Sequence, residues 1–163
     1  MYEKITFTLN GMQRTVDVDP EMMLVDVIRE VLNLTGTKYG CDNATCGTCV
    51  VVIDGKAIKS CNTAVKKVAG KKVVTVEGLA QGMELHPVQK AISESGAVQC
   101  GFCTPGIVMD LYGLLEEKPN ASQAEIETTL NRHLCRCTGY EPIRDGALMA
   151  KKLIQEREQL PTN

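Results

Sequence analysis

The sequence has only two histidines, His86 and His133, and no serine, histidine and acid constellation that would activate a nucleophile. It also lacks a glycine-rich phosphate loop and the paired carboxylates used in general acid–base work. Chemistry on a substrate is therefore expected to happen elsewhere. A basic excess is missing too: 18 Lys and Arg against 20 Asp and Glu leave a net charge of -2 and a pI near 5.7. That excludes a positive field for nucleic acid, and no run of Lys or Arg suggests a membrane surface. No apolar stretch is long enough to span a bilayer, and the start, Met1-Tyr2-Glu3-Lys4-Ile5-Thr6-Phe7, lacks the apolar core of a signal peptide. A cytoplasmic protein is expected. There is no internal repeat and no low-complexity tract. With 44% hydrophobic and 23% charged residues, the 163-residue chain has the composition of a packed globular protein of one or two domains.

What is abundant is cysteine: eight residues. In a reducing compartment such thiols serve as metal ligands or redox groups more often than as disulfides. Cys41, Cys46, Cys49 and Cys61 have four, two and eleven residues between them. That is the spacing of plant-type [2Fe-2S] ferredoxins. A two-iron rhombus needs two thiolates per iron; one loop can supply three and aim backbone N–H groups at the sulfurs, and Cys61 closes the shell. Gly40 and Gly47 would let the backbone approach closely. Cys100, Cys103, Cys135 and Cys137 are separated by two, thirty-one and one. Two separate turns must meet to join them, each just before a helix N-terminus whose free amides favour an anionic centre. Zinc held by four thiolates remains an alternative, above all for this second set, and structural disulfides are a third. A Rieske-type histidine ligand is not needed, because the two quartets use all eight cysteines.

Alternation of Ile5, Phe7 and Leu9 with Thr6 and Thr8, the Asn10-Gly11 pair, and Val16 and Val18 predict a β-hairpin over residues 3–18. Leu24, Val25, Ile28, Val31 and Leu32 predict a short amphipathic helix ending near Asn33 to Gly36. Residues 38–49 break all periodicity, Val50 to Ile58 read as a second strand pair around Asp54-Gly55, and Lys72 to Val76 as a last strand. A boundary is expected near Gly78 to Met83, giving domains 1–78 and 79–163. The second half carries four helical segments: one from His86, one over 105–117 with Thr104 as N-cap before Pro105, one opened by the capping box Ser122-Gln123-Ala124-Glu125, and one near Pro142. His133 is read as a packing or hydrogen-bonding residue, Met22, Met23 and Met83 as core or interface fillers, and Tyr39 and Tyr140 as shields of the cysteine loops.

Gly40-Cys41-Asp42, Cys46-Gly47-Thr48-Cys49, Ala97-Val98-Gln99-Cys100-Gly101-Phe102-Cys103-Thr104-Pro105-Gly106 and Asn131-Arg132-His133-Leu134-Cys135-Arg136-Cys137-Thr138-Gly139-Tyr140 together resemble the small iron–sulfur subunit of the molybdenum hydroxylases, the xanthine dehydrogenase and carbon monoxide dehydrogenase group. The resemblance implies an α+β chain: an N-terminal β-grasp ferredoxin-like domain with an outer [2Fe-2S] cluster and a C-terminal four-helix domain with an inner one. It implies a large molybdopterin-binding partner subunit, a medium FAD-binding partner and a dimer of such heterotrimers, with electrons relayed between molybdenum and flavin. It also implies that Gln99 and Cys137 lie against the pterin. A free-standing ferredoxin is the alternative reading, and it leaves the helical half unexplained. One departure from the family is the segment Asp42-Asn43-Ala44-Thr45, where relatives carry glycines; Asp and Asn tolerate left-handed backbone angles better than most residues.

Overall fold

The computed structural model describes residues 1–159. β1 (Glu3–Leu9) and β2 (Met12–Val18) form the expected hairpin, paired from Glu3 with Val18 to Leu9 with Met12. Both turn residues, Asn10 (φ 50°) and Gly11 (φ 80°), take the left-handed angles of a two-residue turn. β3 (Val50–Ile53) and β4 (Lys56–Lys59) make a second hairpin, and β5 (Lys72–Val74) lies parallel to β1 and antiparallel to β3. The sheet order is β2-β1-β5-β3-β4.

The predicted first helix is shorter and looser than its apolar spacing suggests. α1 (Leu24–Asp26) widens at once into a π turn over Val27–Val31, where the Leu32 N–H donates to the Val27 carbonyl. The turn brings Val27 and Ile28 into the core and leaves Val31 exposed.

α2 (Pro87–Glu94), α3 (Thr104–Glu117), α4 (Gln123–Leu130) and α5 (Glu141–Gln159) form the second half. The Ser122 and Glu125 capping box is present. The third helix differs in one detail: Cys103, not Thr104, is its N-cap, and Thr104-Pro105 open its first turn. Met83 is fully exposed and fills no core gap, whereas Met22 packs on the sheet core.

β3 is the wall shared by the two halves. All four of its residues are buried, and the two-residue period of a strand sends Val51 and Ile53 to one side and Val50 and Val52 to the other. Val51 and Ile53 join Phe7, Leu24 and Ile28 in one core. Val50 and Val52 join Ile107, Leu111, Ile126 and Ile143 in the other. Each fully buried valine of this kind contributes ~1.5–3 kcal/mol. α3 lies against β3 and β4 at Gly113, where a β-carbon would stand 3.2 Å from that of Ala57. This contact sets the N-terminal end of α3, and with it Cys103, beside the loop that follows α1.

Candidate metal centres

The loop carrying Cys41, Cys46 and Cys49 is tied down at both ends. Arg29 donates to the carbonyl oxygens of Thr35 (3.1 Å) and Thr37 (2.7 Å). Lys38 N–H donates to the Thr48 carbonyl (3.3 Å), and the Thr48 hydroxyl donates back to the Lys38 carbonyl (3.3 Å). In the middle, the Lys59 ammonium donates to the Ala44 carbonyl (2.6 Å). Ala44 is the one residue of the 42–45 segment with a positive φ, 54°. The left-handed position therefore falls on alanine, not on the Asp or Asn beside it.

The thiols stand in pairs. Cys41 neighbours Cys46 and Cys49 neighbours Cys61, and Cys61 also feels the charges of Cys41 and Cys46. The Cys46 N–H donates to the Cys41 sulfur (3.4 Å), and this amide, against burial and followed by the Cys46 thiol and the amides of Thr45 and Asn43, brings the Cys41 thiol down to about 7. Burial, then the Cys49 thiol, pushes Cys61 up to about 12. The second set repeats the pattern across two turns: Cys100 with Cys137, and Cys103 with Cys135. The Phe102 amide and then the Cys137 thiol lower Cys100, while the Cys100 thiol raises Cys137. Burial and the Cys135 thiol push Cys103 up to about 12. Burial opposes it, but the hydroxyl and amide of Thr138 and the amide of Cys137 hold Cys135 below its usual range. All eight cysteines are free.

This donor set fits two-iron clusters. Two pairs of thiols side by side match two irons with two thiolates each, and amides aimed at sulfur stabilise the thiolate form. Close backbone approach is visible at Gly40, where a β-carbon would meet the Cys46 sulfur at 3.2 Å and the Phe102 ring at 3.0 Å.

Three residues work here in ways the sequence did not announce. Tyr140 is read as a shield, yet its hydroxyl accepts from the Cys135 N–H (2.9 Å) and donates to the His133 carbonyl (3.2 Å), holding the second turn in shape. Lys59 pins the first loop. Asp110, a carboxylate with 3% of its side chain exposed, sits inside α3 between Arg132 (2.6 Å) and His133 (2.8 Å). Its signal was present in Val108-Met109-Asp110-Leu111, since an acid on the apolar face of a helix needs partners. Gln99 and Cys137 are both exposed, at the mouth of the second set.

Residues 7–80 match the family model of the 2Fe-2S iron-sulfur cluster binding domain, and residues 75–148 that of the [2Fe-2S] binding domain. The nicotine 6-hydroxylase small subunit of Paenarthrobacter nicotinovorans is 42% identical over 147 residues, which cover 90% of this chain and 88% of that one. The chain belongs to the small iron–sulfur subunits of the molybdenum hydroxylases. The crystal structure of quinoline 2-oxidoreductase from Pseudomonas putida 86 contains a chain that superposes on this subunit with a TM-score of 0.89 at 39% identity, covering 95% of this chain and 97% of that one. Aldehyde oxidoreductase of Megalodesulfovibrio gigas is 40% identical over 161 residues, 97% of this chain. The iron–sulfur subunit spans only 18% of that protein and 12% of rat aldehyde oxidase 1. No helix among the described residues is long and apolar enough to cross a membrane.

Proposed function

We propose that this subunit relays electrons between a molybdopterin cofactor on a large partner subunit and FAD on a medium one, within a cytoplasmic dimer of heterotrimers. Cys41, Cys46, Cys49 and Cys61 hold the outer [2Fe-2S] cluster in the 1–78 half, and Cys100, Cys103, Cys135 and Cys137 hold the inner one in the 79–163 half. Each cluster, when bound, accepts and returns one electron. The chain's own part is to fix the thiolates, aim amides at them and keep the two sites rigidly related. The observation that carries this reading is the arrangement of all eight thiols as two adjacent pairs in each of two sites. Exposure of Cys137, Cys100 and Gln99 supports contact with the pterin, because a ligand sulfur at the surface gives a short electronic path to a cofactor on a neighbouring chain.

Two joints between the halves favour a relay over a free-standing ferredoxin. The Leu134 N–H, one residue before Cys135, donates to the Cys46 carbonyl (3.0 Å). Phe102, between Cys100 and Cys103, lies against Gly40. Iron and acid-labile sulfide analysis, with electron paramagnetic resonance of the reduced protein, tests the reading. Two distinct spin systems are expected; one would support the lone ferredoxin, and none would support a zinc module. Cys137→Ser is expected to disrupt the inner-cluster resonance and slow electron flow, while the outer resonance persists. Purification of the native complex and sequencing of co-eluting chains tests the two partners.

A further inference from the structure

The His133 ring belongs by sequence to the inner cluster, two residues before Cys135, but the structure turns it toward the other site. Its side chain is 1% exposed. Nε2 donates to the Asp110 carboxylate at 2.8 Å, since an ionised carboxylate can only accept. Asp110 is held in turn by Arg132 at 2.6 Å and by its place on α3. The far edge of the ring, Nδ1, is buried, has no hydrogen-bond partner among the described residues and abuts Gly47, between Cys46 and Cys49. Gly47 has φ +77° and no room for a side chain: a β-carbon there would run into His133 Nδ1 and lie 2.7 Å from the Arg132 carbonyl. Gly106, in the first turn of α3, packs so closely on the same glycine that a β-carbon on it would run into the Gly47 carbonyl. Thus Gly47 is gripped between two parts of the helical half, and one face of the grip is an imidazole oriented by a buried carboxylate.

We propose that His133, anchored by Asp110, is a positioning residue for the outer cluster: its ring buttresses Gly47 and so fixes the Cys46-to-Cys49 turn in the shape that presents both thiolates. The inference rests on the relay reading and deepens it. It assigns to a residue beside an inner-cluster ligand an effect on the other cluster. A packed, hydrogen-bonded ring is suited to this because it cannot yield without breaking its bond to Asp110.

The test uses the full chain loaded with both clusters, with Cys61→Ser identifying the outer resonance by the change it causes there. In His133→Ala, the Cys61-sensitive resonance should alter in shape and be lost to an iron chelator about tenfold faster than in the wild type, the size of one lost buried hydrogen bond. The other resonance should keep its form and its lifetime. His133→Gln retains a donor for Asp110 without the ring edge at Gly47, and should fall between the two. An unchanged outer resonance in both variants, or a change confined to the inner one, overturns the proposal. If His133→Ala does not accumulate as folded protein, His133→Gln decides by the same criteria. A wild-type chain without iron would instead sink the relay reading itself.

Discussion

The two cysteine sites solve one problem in opposite ways. The first is one loop bent around three of its sulfurs and closed by Cys61 from beyond β4, with Cys46 and Cys49 buried and Cys41 and Cys61 half-buried. The second is two turns brought together by the ends of α3 and α5, with Cys103 buried but Cys100 and Cys137 open to the surface. In the proposed reading the site that is outer in the assembled enzyme is the better enclosed one in this subunit, because the inner site awaits cover from a partner. An enclosed loop needs glycines where neighbours press on it; an open turn needs them only for backbone angle.

That difference can be broken by one pair of substitutions. Gly47 and Gly101 have nearly the same left-handed angle, φ 77° and 79°, but Gly101 has nothing within 4 Å of where a β-carbon would go. Gly101→Ala should cost only the backbone term, ~1–2 kcal/mol. Gly47→Ala adds overpacking against the Arg132 carbonyl and the His133 ring, for a total of ~2–5 kcal/mol. Denaturant unfolding of the two variants measures this directly, and equal losses would mean that the first site is no more tightly held than the second.

A smaller effect of opposite sign sharpens the same contrast. Ala44 keeps a positive φ with Lys59 bonded to its carbonyl, although an alanine pays for that conformation with a β-carbon clash. Ala44→Gly should stabilise the loaded protein by ~1 kcal/mol. Asn43→Gly, at a position without a positive φ, should destabilise it by ~0.5–1 kcal/mol through chain entropy, with the exposed hydrogen bond from the Thr45 hydroxyl to the Asn43 side chain (2.7 Å) lost as well. A gain in melting temperature for the first and a loss for the second would locate the strain at one peptide.

Much of this was legible in the residues. The Asn10-Gly11 hairpin and the Ser122 and Glu125 cap each depend on local chemistry that a short segment carries by itself. What stayed hidden depends on contacts distant in sequence. The left-handed residue of the 42–45 segment is Ala44 and not Asn43 because Lys59, fifteen positions away, fixes the peptide. Tyr140 reads as an aromatic shield until its hydroxyl is seen joining Cys135 to His133. The π turn after α1 has no signature in the apolar spacing, since widening by one residue changes which valine faces the core and not how many there are.

The halves are also joined by the link ahead of α2, where the Gln89 side chain donates to the Val76 carbonyl (3.1 Å) and the smallest effect is expected. His86 caps that helix: its Nδ1 accepts from the Val88 N–H (3.3 Å), and the Gln89 side chain accepts from the His86 N–H (3.1 Å). Burial holds the imidazole below its ordinary value of 6.5, Glu116 opposes that and Arg157 adds to it. The native state therefore keeps His86 neutral at pH values where the unfolded chain has begun to protonate it. The stabilisation is complete above about 6.5, the unfolded value, and is lost as the pH falls through the lower native one. Protonation also removes the Nδ1 lone pair that serves the cap, so the loss should reach ~0.5–1 kcal/mol, the lower part of the range for a helix cap. His86→Asn keeps a capping oxygen without a titrating group, and the difference between wild type and variant removes any contribution from ligand thiolates. Protection from hydrogen exchange at the first amides of α2, taken relative to the intrinsic rate at each pH, should fall between pH 7 and 5 in the wild type and stay level in His86→Asn; parallel curves would show that the cap at this joint does not depend on the charge of His86.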